Sequence, residues 1–168
     1  MRTLILMRHA KAVGPEEADS DEARTLAPRG RRDAGDAGAA LKAQGGAVGF
    51  SPEAALVSIS ARTRETAALG LGAFDIPVRF DDSLYHAAPA LIWQAFISAP
   101  EQRVLIIGHN PGLSELASML IAQAGDSSRL ARDILGGFPT SSWAAFDVSG
   151  DAMRAAGPKL MGAWRPER

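Results

Sequence analysis

The chain has 168 residues, 46% hydrophobic and 22% charged, a composition far from that of disordered proteins and sufficient for one core. Its formal net charge of −1 gives no overall field that would attract nucleic acid or a membrane surface, and its lack of cysteine excludes disulfides, thiolate nucleophiles and thiolate metal ligands. The apolar N-terminal stretch is too short for a signal-peptide core, and no run reaches membrane-spanning length. We therefore expect a single cytoplasmic domain over residues 1–168.

Short apolar runs alternate with stretches of helical period along the chain. Runs rich in branched residues predict strands, and apolar residues three or four positions apart predict helices. In chain order we predict a strand at 4–7, a helix around 34–41, a strand at 55–59, a helix at 62–74, a short strand at 77–80, a helix around 92–99, a strand at 103–108, a helix at 113–124, a short helix within 128–135, a strand at 143–148 and an edge strand at 159–164. This alternation predicts an α/β fold, a three-layer αβα sandwich with a mostly parallel central sheet.

Polar side chains follow three of the predicted strands, at the edge of the sheet where α/β proteins bind ligands. Arg8 and His9 end the first strand. Arg62 lies shortly after the second strand, and His109 follows the strand at 103–108. Each has an ordinary structural explanation, because a histidine after a strand is often packed and Arg62 could lie on a solvated helix face. Together they predict an anion site with nucleophilic or acid–base capacity.

Two helix starts beside these residues also favour an anion. Ser60 is expected to cap the helix that contains Arg62. Asn110 is expected to cap the helix after His109, with Pro111 at its first position. The free amides and partial positive charge of a helix N-terminus attract phosphate.

Three segments carry a resemblance to a known family. They are LMRHAK at 6–11, VSISARTRETA at 57–67 and VLIIGHNPG at 104–112. In that order, they resemble the Arg-His-Gly signature, the second arginine motif and the second histidine motif of the histidine phosphatase superfamily. The short length and the segment DEARTLAPRG at 21–30 are similar to its SixA-like phosphohistidine phosphatases.

This resemblance implies a fold and a mechanism. The fold is that of the histidine phosphatases, also called phosphoglycerate mutase-like. His9 is implied to attack phosphorus through a neutral ring nitrogen, giving a phosphohistidine intermediate that water then cleaves. Arg8, Arg62 and a protonated His109 are implied to surround the phosphoryl oxygens, which the planar fork of arginine matches.

The resemblance also implies four residues at the substrate: Arg24, Asp21, Ala10 and Asn110. Arg24 is implied as a further phosphate ligand that Asp21 orients, although a surface ion pair explains this spacing equally well. Ala10 replaces the usual glycine of the family, which requires a negative φ at this position.

The general acid of larger relatives, a glutamate after the third strand, has no clear counterpart in this sequence. The region reads FDDSLYHA at 80–87, where Asp82 or His86 could donate a proton and Tyr85 could line the pocket. Turn composition and packing also explain these residues. Without a proton donor, cleavage of an alkyl phosphate loses about 10²–10⁴-fold in rate, whereas imidazole leaves more easily. The sequence therefore favours phosphohistidine on another protein as the substrate.

The expected partners are a phosphorylated protein or a small phosphorylated substrate, with inorganic phosphate as product. We expect a monomer with no nucleic-acid or membrane partner. No metal or organic cofactor is expected, because the histidines, Asp21 and Asp82 lack ligand-like spacing and the neighbouring arginines would repel a cation. Two alternatives remain open: a small-molecule phosphomonoesterase of the same fold, and a non-catalytic phosphate-binding module.

Overall fold

The computed structural model describes residues 1–150 and 157–167. Within these residues six strands form one sheet, in the order β3-β2-β4-β1-β5-β6. The strands are β1 Thr3–Arg8, β2 Ala54–Ser58, β3 Val78–Asp81, β4 Arg103–Gly108, β5 Trp143–Asp147 and β6 Lys159–Trp164. The six predicted strands are confirmed, each within one residue of its predicted ends, and β6 is an edge strand as expected.

The strands that precede the predicted site residues are neighbours in the parallel part of the sheet. β4 lies between β1 and β2 and is parallel to both, with Ile107 opposite Met7 on one side and Val57 on the other. β3 is parallel to β2, whereas β5 and β6 are antiparallel to their neighbours. The carboxyl ends of β1, β2 and β4 therefore meet at one edge of the sheet.

Five helices in the described residues cover the two faces of the sheet. They are α1 Pro28–Val48, α2 Ala61–Gly70, α3 Pro89–Ser98, α4 Gly112–Ala124 and α5 Arg129–Leu135. Successive strand residues point to opposite faces, so Ile5 lies in one core with Leu41 of α1, and Leu4 lies in a second core with Leu116 of α4. The predicted three-layer αβα sandwich is thus confirmed. None of these helices is long and apolar enough to cross a membrane.

Two details of the helix predictions are wrong, and the first is the length of α2. The predicted helix at 62–74 stops at Gly70. Gly70 and Gly72 are poor helix formers, and their low propensity overrides the weak apolar period beyond them.

The second error is the capping of α4. Ser60 caps α2 as predicted, because its Oγ accepts from the Thr63 amide at 3.4 Å. The predicted Asn110 cap of α4 is wrong, since the residue directly before this helix is Pro111. The Asn110 side chain instead donates from Nδ2 to the Phe138 carbonyl at 2.9 Å. Asn110 Oδ1, the atom that would accept from a helix amide, has no hydrogen-bond partner among the described residues.

Close approach of α1 and α2 depends on glycine. A Cβ atom at Gly38 of α1 would lie 1.9 Å from the carbonyl oxygen of Gly70 in α2. We expect Gly38→Ala to lower the free energy of unfolding by about 1–3 kcal/mol, measured by urea denaturation, because the helices must separate. Gly35→Ala on the same helix is the matched control: a Cβ there has nothing within 4 Å and should stabilise by about 0.5–1 kcal/mol. Equal effects of the two substitutions would contradict this packing.

Candidate active site

His9 follows β1, and the backbone of its neighbour orients its ring. His9 Nδ1 lies 2.7 Å from the Ala10 carbonyl oxygen, which only accepts hydrogen bonds, so Nδ1 carries the proton. The Ala10 amide donates to Thr66 Oγ1 at 2.9 Å. Ala10 has the required negative φ, because positive φ among the described non-glycine residues occurs at His86 and Ser141. His9 is left with an unprotonated Nε2.

The Arg62 guanidinium connects the parts of the site, and only 2% of this side chain is exposed. Its Nε lies 3.3 Å from His9 Nε2, and its Nη2 lies 3.4 Å from His109 Nδ1. A guanidinium only donates, so both imidazole nitrogens accept. Arg62 Nη1 and Nη2 also donate to Asp21, at 2.6 Å to its carbonyl oxygen and at 2.9 Å to its carboxylate. Asp21 therefore fixes one edge of the guanidinium, while Nε and Nη2 point to the histidines.

His109 follows β4 and is 2% exposed. Its Nε2 lies 2.8 Å from Ser58 Oγ at the end of β2. Because its Nδ1 accepts from Arg62, Nε2 carries the proton and donates to the serine. The ring centroids of His9 and His109 are 5.2 Å apart. In residues 1–150 and 157–167, no three histidine, aspartate or glutamate side chains are arranged to hold a metal ion.

The protonation of the two histidines follows from their surroundings. Burial is the main cause that lowers the pKa of His9 to about 3, opposed by the hydrogen bond to Ala10 and assisted by the charge of Arg62. Burial also lowers the pKa of His109 to about 3, assisted by His9 and Arg62. Both rings are therefore neutral at pH 7, so that His9 Nε2 carries a free lone pair without the help of a separate base. A bound phosphoryl dianion would favour the protonated form of His109.

Arg8 and Asn110 converge on one backbone carbonyl. Arg8 Nη1 donates to the Phe138 carbonyl at 3.0 Å, and Asn110 Nδ2 donates to the same oxygen at 2.9 Å. Burial lowers the pKa of Arg8, whose Nε has no hydrogen-bond partner among the described residues. The Ala10 amide and Asn110 Nδ2 each donate within the protein, whereas Asn110 Oδ1 has no hydrogen-bond partner among the described residues.

Asp21 brings together four side chains around its carboxylate. Oδ1 accepts from Arg24 Nη1 at 3.0 Å, and Oδ2 accepts from Arg62 Nη2 at 2.9 Å. Oδ2 also accepts from the Tyr85 hydroxyl at 2.6 Å and from His86 Nε2 at 3.1 Å. These hydrogen bonds, that from Tyr85 above all, hold the pKa of Asp21 well below its usual range. The expected contact of Asp21 with Arg24 is present, and its contact with Arg62 is an addition that the sequence did not indicate.

Tyr85 and His86 are the parts of this cluster that sequence reasoning left undecided. The His86 ring centroid lies 4.7 Å from that of His109, and the Tyr85 centroid lies 5.4 Å from it. Asp82, the other candidate acid, lines a different groove beside β3, together with Arg64. The available signal was topological: β3 is parallel to β2, so residues that follow β3 return to the same edge of the sheet.

Comparison with known proteins agrees with this geometry. Residues 4–87 match the family described as the histidine phosphatase superfamily, branch 1. An uncharacterized Mycobacterium tuberculosis protein, Rv1276c, is 38% identical over 146 residues, which cover 86% of this chain and 88% of the relative.

Two solved structures are also similar to this chain. A candidate phosphohistidine phosphatase SixA from Nakamurella multipartitia has a TM-score of 0.79 and 30% identity, covering 98% of this chain and 96% of the other. A candidate SixA from Agrobacterium tumefaciens has a TM-score of 0.78 and 27% identity, covering 98% of each chain. The fold, the motifs at the strand ends and these matches together show that the chain belongs to the histidine phosphatase superfamily.

Proposed function

We propose that the chain is a phosphatase that forms a covalent phosphohistidine on His9 and acts on phosphohistidine side chains of other proteins. The observation that carries the proposal is the unprotonated Nε2 of His9, held 3.3 Å from the Nε of the buried Arg62. A nucleophile beside a fixed guanidinium suits phosphoryl transfer, where catalysis consists mainly of positioning and charge stabilisation.

The chemistry runs in two steps. In the first, His9 Nε2 attacks phosphorus, the bond between phosphorus and the leaving atom breaks, and its electron pair departs with that atom. In the second, water attacks phosphorus and the electron pair of the P–N bond returns to His9. Arg62, Arg8 and Arg24 balance the charge on the phosphoryl oxygens. His109, once protonated beside the dianion, donates a further hydrogen bond.

Two features support a protein substrate. The rim of the site is open, with 44% of the Asp21 side chain and 49% of the His86 side chain exposed. The structures from Nakamurella and Agrobacterium, at 30% and 27% identity, are both candidate SixA phosphohistidine phosphatases. Imidazole is also a good leaving group once its remote nitrogen is protonated, so hydrolysis of phosphohistidine needs little catalytic assistance to the leaving group.

The test compares a folded domain carrying phosphohistidine with free phosphohistidine. Wild-type protein should release inorganic phosphate from both, with kcat/KM at least about tenfold higher for the domain, a difference of about 1.4 kcal/mol in transition-state binding. Equal values for the two substrates would favour a small-molecule phosphatase. Binding of the domain without release of phosphate would identify a binding module instead.

A further inference from the structure

His86 and the nucleophile both lie against the Arg62 guanidinium, at different nitrogen atoms. Arg62 Nε contacts His9 Nε2 at 3.3 Å, and Arg62 Nη2 is 3.5 Å from His86 Nε2. The His109 ring is close to both, and its centroid lies 5.2 Å from that of His9 and 4.7 Å from that of His86. In-line displacement places the leaving atom opposite the attacking nitrogen. A phosphoryl group that binds Arg62 and is attacked by His9 would also lie close to His86, which makes His86 the candidate to face the leaving atom.

The protein holds the His86 ring in this position at a cost. His86 has a φ of 49°, a left-handed conformation that is uncommon for residues other than glycine, although histidine adopts it more often than most. Its ring is nevertheless fixed, by a 3.1 Å contact from Nε2 to Asp21 and by the Tyr85 ring at 4.5 Å between centroids. Residues held in uncommon backbone conformations are often found at functional sites, and His86 is such a residue, with an exposed and hydrogen-bonded ring.

We propose that His86 is the catalytic proton donor to the leaving group, and that it extends the substrates of this site from phosphoramidates to alkyl phosphate monoesters. The inference rests on the proposed phosphoenzyme at His9. As the bond from phosphorus to the ester oxygen breaks, that oxygen takes its electron pair and the Nε2 proton of the imidazolium form of His86, and it leaves as an alcohol while His86 becomes a neutral imidazole. The water that cleaves the phosphohistidine then returns a proton to His86, so the cycle is balanced.

The other members of the cluster are poorly suited to donate this proton. Hydrogen bonds from Tyr85 and His86 lower the pKa of Asp21, which leaves its carboxylate without a proton. Burial and the bond to Asp21 raise the pKa of the Tyr85 hydroxyl, which makes it a weaker acid. His86 is the remaining group of the cluster, and its Nε2 donates to the Asp21 carboxylate at 3.1 Å.

The experiment compares two substrates of similar shape but different leaving groups in wild type and His86→Asn. Asparagine tolerates the left-handed conformation and removes the proton donor. We expect kcat/KM for benzyl phosphate to fall about 10²–10³-fold, because its alkoxide needs a proton. For p-nitrophenyl phosphate, whose leaving group departs unprotonated, the fall should be less than about threefold.

Asp82→Asn is the matched control, and both rates should stay unchanged because this residue lines a different groove. Equal losses on both substrates in His86→Asn would show a positional role and overturn the proposal. So would an unchanged rate on benzyl phosphate, or a wild type that hydrolyses p-nitrophenyl phosphate and leaves benzyl phosphate intact. Failure of wild type to form a phosphoenzyme from p-nitrophenyl phosphate would refute the proposed function itself, and is therefore a separate outcome.

Discussion

His9→Asn is expected to abolish the phosphoenzyme and to lower kcat/KM for p-nitrophenyl phosphate by more than about 10⁴-fold, as removal of a nucleophile does in other covalent enzymes. The reason is structural as well as chemical. Burial keeps the pKa of His9 near 3, and the bond from Nδ1 to Ala10 directs the lone pair of Nε2 into the site. Asparagine offers an amide there, which is not a nucleophile. The measurement is the intact mass after brief exposure to substrate, where wild type should gain one acid-labile phosphoryl group.

The His109→Asn variant tests which of the two neutral histidines of the site receives the phosphoryl group. His109 is also unprotonated at the nitrogen that faces Arg62, but its ring is buried and tied to Ser58. This variant should still acquire the phosphoryl group on His9, with turnover reduced about 10²–10³-fold through loss of one donor to the phosphoryl oxygens. A phosphoryl group that persists in His9→Asn and disappears in His109→Asn would reverse the assignment.

The sheet and the centre of the site could be predicted because they depend on local patterns. The run at 103–108 is apolar and branched, bounded by a polar turn and a histidine, and β4 occupies those residues. Once strands and helices alternate, the sheet is parallel and the ends of adjacent strands share one edge. His9, Arg62 and His109 then come together from the order of motifs alone.

The parts of the site that the sequence did not predict depend on contacts between residues far apart in the chain. The bond from Tyr85 to Asp21 joins residues 64 positions apart, and no periodic pattern encodes it. The same limit applies to Asn110: its local sequence favours a cap, but the residue before the helix is Pro111, and Asn110 Nδ2 instead donates to the Phe138 carbonyl, 28 positions away. His86 was one of two candidate acids in the sequence, and only the path of the loop after β3 distinguishes it from Asp82.

A further large effect is expected at Arg62. Arg62→Lys should lower kcat/KM for p-nitrophenyl phosphate about 10²–10³-fold, because one ammonium group cannot replace a planar fork that contacts His9 and Asp21 at once. Arg64→Lys is the matched control two residues along α2. Arg64 donates to the Ile59 carbonyl at 2.8 Å and lies over the Phe80 ring, so the rate should be unchanged. An Arg62→Lys protein that stays within about threefold of wild type would contradict the phosphate-holding role.

A double-mutant cycle shows whether Asp21 acts through Arg62. With p-nitrophenyl phosphate the leaving group needs no proton, so the contact of Asp21 with His86 has little influence on the rate. Asp21→Asn should then slow wild type about tenfold, since the hydrogen bond from Nη2 to its carboxylate is weakened. In the Arg62→Lys background the same substitution should cost less than about threefold, because there is no guanidinium left to orient. Additive losses would mean that Asp21 contributes by a route that does not pass through Arg62.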